Sequence, residues 1–224
     1  MATLPAFGEQ SVPARIRLVL ALMFSAAIAP AVLPALQPVA LVKGAFPEVA
    51  IGLTLGLGLR LFILALMTAG SIVANATSLS QLFPAGAEAQ PAIAKLLVAA
   101  GLALAVQGGL ALRVVDYLLL GYDLLPGGQW PSSSAITEFG VAQVGRAFSL
   151  AFMISMPFVI GSLLYNVALG VINRAMPQLM VSFIGAPALS LGGLVVLAMI
   201  TPFVLSVWLE AFTAFLTDPI QRAP

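Results

Sequence analysis

Apolar residues fall in long blocks along this chain, and the elements are delimited by what interrupts those blocks. The first block runs from Ile16 to Ala29, after which Pro30, Pro34 and Pro38 follow at four-residue spacing. Each proline removes a backbone donor and crowds the preceding turn, so the first helix is predicted to end near Ala29, with 30–47 as a kinked or irregular connector. A second helix is predicted to open at Pro47 and Glu48, a first-turn proline beside a first-turn acid, and to stay apolar to about Val73. The stretch after Ala74 is small and polar, broken by Pro84, Gly86 and Pro91. Even so it holds Leu79, Leu82 and Phe83 close together, which points to contact with something apolar. A third apolar segment covers 92–107, with Gln107, Gly108 and Gly109 at its end; with no clear breaker, continuation through Arg113 and Asp116, a spacing that lets the two pair, to Leu125 is left open. The sequence from Pro126 to Ser134, P-G-G-Q-W-P-S-S-S, is the clearest loop in the chain.

Thr137 and Glu138 are read as opening the next helix, followed by an uncharged run from Ala147 to Asn173. At about 1.5 Å per residue that run is long enough to cross a bilayer core of about 30 Å. Asn166 and Asn173 fall on nearly one helix face, where they are expected to bond across a helix interface. From Ala175 to Leu209 there is no charge, but Pro177, Pro187, Pro202, Gly185, Gly192 and Gly193 divide the run. A turn is expected at 174–178, a kink or break near Gly185 and Pro187, and a last helix to about Phe215, with Trp208 at a position that suits a membrane interface. Tyr165 to Gly193 therefore has the outline of a helical hairpin whose polar apex is Asn173, Arg174, Pro177 and Gln178.

Composition moves this pattern into a membrane. Of 224 residues 61% are hydrophobic and only 8% charged, with a mean hydropathy of +1.11; soluble domains carry about a quarter charged residues. The fold class expected is an all-α integral membrane protein, one domain of about four to six helical segments. Arg15 and Arg17 ahead of the first apolar run give 11–29 some likeness to a signal peptide, but a retained helix is the better reading because apolar segments recur to the end. A net charge of +1 offers no basic surface for nucleic acid. Basic residues are too thinly spread for the positive-inside rule to orient the chain.

Chemistry is scarce. The chain has no cysteine and no histidine, which removes disulfides, zinc sites of the usual kind and His-based triads. Neither a nucleophile elbow nor a phosphate-binding glycine loop occurs. Asp116 and Asp123 are the only carboxylates that could share a helix face, and Lys43 and Lys95 lie at segment ends, away from any buried serine. The expectation is a non-enzyme without metal or cofactor. Gly52 and Gly56 form a G-x-x-x-G, read as a helix-packing face. Arg60, flanked by apolar residues, is either a pore or substrate charge or, more commonly at such positions, one member of a structural pair. A small-molecule permease using Arg60, Asn166 and breaks at Pro187 and Pro202 is the alternative that these residues leave open.

The apex also carries a resemblance. Leu169-Gly170-Val171-Ile172-Asn173-Arg174-Ala175-Met176-Pro177-Gln178-Leu179, then Ile184-Gly185-Ala186-Pro187, resembles the FliR family of flagellar export-gate membrane proteins, and more distantly the corresponding T protein of injectisome export apparatus. Val12 to Arg17, Glu48 to Leu53, and Leu124-Leu125-Pro126-Gly127-Gly128 follow in family order. The family has a further apolar helix ahead of the segment matching Pro5 to Arg17, so a start assigned downstream of the true one, or a shortened form, is expected.

The resemblance implies kinked hairpins in two parts, FliP-like over 1–135 and FliQ-like over 136–224, packed in a raised helical assembly. It implies FliP-like and FliQ-like membrane subunits and FlhB-like and FlhA-like export components as partners, with unfolded export substrates passing through the channel. The location implied is the bacterial inner membrane at the flagellar basal body. Leu79, Leu82 and Phe83 then match the loop that plugs the closed channel, Asn173, Arg174, Pro177 and Gln178 are turn and subunit-contact residues, and Gly185 and Pro187 a helix break. A virulence secretion apparatus shares this fold and differs in its substrates.

Overall fold

The structure, a computed structural model, describes residues 3–9, 12–32, 45–77, 92–125, 128–175 and 181–219. Among these are six helices: α1 (Ala14–Val32), α2 (Ala45–Ala76), α3 (Ala92–Gln107), α4 (Leu110–Leu124), α5 (Ser133–Ala175) and α6 (Val181–Thr217). The described residues hold no strand. Four of the helices are long and apolar enough to cross a membrane, and α3 with α4 qualifies as one bent span. This is an all-α membrane protein. At 43 and 37 residues, α5 and α6 are about 65 and 55 Å long, well beyond a bilayer core of about 30 Å.

Several boundaries differ from those read in the sequence. Helix α1 continues past Ala29 to Val32 and takes Pro30 inside, because a proline so near a carboxyl end forfeits one bond of the last turn and nothing beyond it. Pro34 and Pro38 lie outside the described residues. The segment 92–107 ends at the glycines read at its close and does not continue as one helix to Leu125: α3 and α4 meet at 80° at Gly108 and Gly109. Gly109 has φ 80° and ψ 34°, a left-handed conformation that glycine adopts without a Cβ penalty. Arg113 does not pair with Asp116; its Nε donates to the Gly108 carbonyl at 3.2 Å, across the break.

Helix α5 starts four residues before Thr137. Ser132 is its cap, the hydroxyl accepting from the Ala135 N–H at 3.3 Å, so the serines assigned to the loop begin the helix. Helix α6 runs through Gly185, Pro187 and Pro202, so of the kink or break expected near Gly185 and Pro187 the break is not found. Beside Pro202, the Thr201 hydroxyl donates to the Leu197 carbonyl one turn back at 2.5 Å, so this side chain is satisfied within the helix.

The chain sorts into two compact units: Met1–Ile63, Leu102–Ala147 and Leu209–Pro224 in the first, Leu64–Gly101 and Phe148–Trp208 in the second. In the first, α1 packs on α4, and the core is aromatic. The Phe215 ring lies 5.1 Å from Phe62, 5.6 Å from Tyr117 and 6.3 Å from Phe139, centroid to centroid. Gly58 lets this cluster approach α2, since a methyl there would sit 3.1 Å from both Phe139 and Phe215. The Tyr117 hydroxyl is satisfied inside the core by the Leu55 carbonyl at 3.1 Å.

The second unit is tighter. Gly70 abuts the backbone of Ala94, and a methyl on Gly101 would meet Leu66 at 2.7 Å and the Trp208 indole at 3.4 Å. Trp208, placed by the sequence pattern at a membrane interface, is wholly buried here. Its indole closes the packing around Leu66 and Gly101. We expect Gly70→Ala to destabilise the fold by about 1–3 kcal/mol, because its neighbour is backbone and cannot rotate away. Gly52→Ala meets open space and, inside a helix, should raise stability by up to about 1 kcal/mol. Thermal unfolding of the detergent-solubilised protein checks both, and equal midpoints would refute the close approach.

Candidate functional site

The first unit places the intramembrane cation. Arg60 projects from α2 and donates through Nη1 to Glu9 Oε1 at 3.3 Å, both side chains retaining about a quarter of their exposure. Arg60 is thus one member of an ion pair. Its partner comes from the amino-terminal segment, which is folded onto α2 and α1 at further points: Thr3 occupies the space above Gly56, Leu4 is buried, and Phe7 meets Phe24 edge-on at 5.4 Å. The two glycines of the G-x-x-x-G thus separate in role. Gly56 receives the amino-terminal segment, and Gly52 faces outward with nothing within 4 Å of a methyl placed on it.

A second polar tie in this unit was not foreseen. Glu48, read as a first-turn acid favoured by the helix dipole, reaches further than its own helix. One carboxylate oxygen accepts from the Tyr122 hydroxyl of α4 at 3.0 Å, the other from the Gly128 N–H at 2.9 Å. Gly128 holds φ 77°, a conformation that turns its amide toward the carboxylate at little cost. The sequence did contain a signal, a lone acid at a helix start together with a Gly-Gly loop and a nearby tyrosine, but no spacing rule links positions 48, 122 and 128.

The remaining expected site residues are dispersed. Leu79, Leu82 and Phe83 lie outside the described residues, as do Pro177 and Gln178. Asn173 and Gly185 fall in α5 and α6, and Arg174 is exposed in the last turn of α5. Asn166 is exposed and Pro187 likewise. From Val159 to Ala175, no residue whose side chain is described is buried, although Leu163, Leu164, Val167 and Val171 are each 58–65% exposed. A largely apolar stretch with no buried residue and such exposed leucines and valines needs lipid or protein around it.

The arrangement offers tethers rather than reactive groups. In thermal unfolding of Glu9→Gln, Arg60→Gln and the double variant, we expect a coupling of about 1 kcal/mol, between the values for exposed and buried pairs. A coupling near zero would mean that the pair does not hold the amino-terminal segment. Glu48→Ala leaves the Gly128 amide and Tyr122 hydroxyl unpartnered and should cost about 1–3 kcal/mol. It should also speed protease cleavage in the loop at Gly128, whereas unchanged cleavage would show the loop to be held elsewhere.

Comparison with known proteins agrees with the resemblance at the apex and extends it over the chain. The family described as bacterial export proteins, family 1, matches residues 1–215. The flagellar biosynthetic protein FliR of Caulobacter vibrioides is 31% identical over 222 residues, covering 96% of this chain and 88% of that protein. FliR of Escherichia coli is 30% identical over 239 residues, covering 100% and 89%. FliR of Aquifex aeolicus is 28% identical over 216 residues, covering 90% and 81%. On this extent of match the chain belongs to the bacterial export proteins, family 1, as a FliR-family membrane protein.

Proposed function

We propose that this chain is a non-enzymatic subunit of the flagellar protein export gate, set in the bacterial inner membrane at the basal body. With FliP-like and FliQ-like subunits it forms the channel through which unfolded flagellar substrates pass, next to FlhB-like and FlhA-like export components. The observation that carries this reading is the match of the export family over residues 1–215 of a chain whose long hairpin helix stands uncovered from Val159 to Ala175. Membrane helices this apolar associate by packing small residues and by polar contacts. Uncovered length beyond the bilayer thickness is best satisfied by neighbouring protein helices.

In this reading Leu79, Leu82 and Phe83 form the apolar plug of the closed gate. Asn173, Arg174, Pro177 and Gln178 make the hairpin turn and contact neighbouring subunits. The relatives named above are flagellar proteins, which favours flagellar over virulence secretion. The permease alternative loses two of its supports, since Arg60 is paired with Glu9 and α6 is helical through Pro187 and Pro202.

Purification through a tag on this chain should bring down FliP-like and FliQ-like proteins, and saturable solute uptake by the purified chain alone would overturn the proposal. A variant with Leu79, Leu82 and Phe83 all changed to Ala should assemble normally and leave the membrane leaky to ions. Unchanged conductance in that variant would sink the plug assignment.

A further inference from the structure

The Glu48 tie fixes the loop between α4 and α5, and that loop carries a side chain that no contact described above explains. Trp130, two residues beyond Gly128, is 70% exposed. One Glu48 oxygen takes the Gly128 N–H and the other the Tyr122 hydroxyl, which gathers the first turn of α2 and the last turn of α4 at this loop. Helix α5 starts at Ser133, just beyond it. The outermost N–H and C=O groups of a helix lack partners within it, so a level at which helix ends collect does not belong in hydrocarbon. The side chains agree with the backbone: Asp123, Gln129, Ser132, Ser133 and Ser134 are all exposed.

Along α2 the character reverses within one turn. Phe46, Val49, Leu53 and Leu57 follow one another at helical spacing and are 49–76% exposed, on a helix long and apolar enough to cross a membrane. From Phe46 to Leu57 the stripe measures about 17 Å at about 1.5 Å per residue, close to half of a bilayer core of about 30 Å. No charge lies on α2 between Glu48 and Arg60, and Arg60 is turned to Glu9. A polar level of helix ends thus stands at the head of an uncovered apolar stripe one leaflet deep. The chain's one exposed indole and the exposed ring of Phe46 lie where the two meet.

We infer that Trp130 is a membrane anchor whose indole lies in the headgroup and glycerol layer of one leaflet. Phe46 flanks it, and Val49, Leu53 and Leu57 face the acyl chains of the same leaflet. An indole is apolar over most of its surface and carries one donor, which suits it to that boundary. A partner helix laid on the stripe would give no reason for the indole to fall at the level of the helix ends; a phospholipid bilayer does. Glu48 is a positioning residue. By holding the Gly128 amide it keeps the indole at one depth, where a free loop would let it swing between water and lipid.

Fluorescence quenching tests the anchor. The protein, purified through a tag with the subunits it holds, is placed in phosphatidylcholine vesicles whose acyl chains carry bromine near the glycerol or near the terminal methyl. Subtracting the emission of Trp130→Phe, a change at an exposed loop position, isolates this indole, because Trp208 and any tryptophan of a partner are common to both samples. The expected result is loss of most of the Trp130 signal to the shallow bromine and of little to the deep one. A signal quenched by aqueous iodide and by neither bromine would put the indole in water. One quenched by none of the three would put it against protein, and one quenched more by the deep bromine would put it in the hydrocarbon; each of these overturns the anchor.

Glu48→Ala should abolish the difference between the two bromines, since the freed loop no longer holds a depth. Where that variant does not fold, Gly128→Ala takes its place, because a Cβ strains the φ of 77° that turns the amide toward the carboxylate. A difference preserved in the variant would refute the positioning role of Glu48.

Discussion

A backbone surrounded by hydrocarbon must satisfy its own N–H and C=O groups, and the helices of this protein follow from that constraint. Prolines that would end a helix in water are carried inside one here: Pro157 in α5, Pro187 and Pro202 in α6. Leaving the helix would expose several polar groups, whereas keeping it sacrifices one bond. Hydroxyls follow the same logic. Thr54, Ser71, Thr77 and Thr201 all fold back onto carbonyls one turn earlier in their own helices, at 2.5–2.9 Å, and so present no unpaired donor to an apolar neighbour.

With no water to expel from between helices already in lipid, association depends on contact area and on close approach. The cores of both units show this. Gly70 against Ala94, Gly101 against Leu66 and Trp208, Gly193 against Thr77 and Gly58 against Phe139 and Phe215 are places where a missing side chain sets the spacing. Large rings then fill what the glycines open, Phe215 in one unit and Trp208 in the other. A glycine of this kind is distinguishable from its neighbours only by what lies opposite, which is why Gly52 and Gly56 look alike in the sequence and differ in the structure.

This difference marks what was legible. The class, the helical segments and the family at the hairpin apex could all be read from apolar blocks and from one ordered string of residues, because they are properties of contiguous sequence. Interruptions were read less well, because their effect depends on medium and context. Pro187 was read as a kink or break and lies within a helix, whereas Gly108 and Gly109, read only as the close of one apolar segment, turn the chain by 80°. The proline costs one hydrogen bond that the flanking turns survive; the glycine pair permits a left-handed residue that ends a helix outright. Ties between distant positions left no periodic trace at all, as with Glu48, Tyr122 and Gly128. The gate residues Leu79, Leu82 and Phe83 rest on resemblance alone.

Two of the ionic contacts share a destination. Glu9 with Arg60, and Glu48 with Tyr122 and Gly128, each fasten a non-helical segment to α2 within the first unit. A charge in a low-dielectric setting is costly unless paired, and once paired it resists rearrangement, since separating the partners restores the cost. Charges placed this way make the amino-terminal segment and the Gly128 loop stationary. The long stretch of α5 from Val159 to Leu169 is treated in the opposite manner, with neither charge nor burial to fix what surrounds it. An apolar helix surface with no charge along it can be packed by several neighbours of similar shape, a property that suits the proposed place of this chain among other helical subunits.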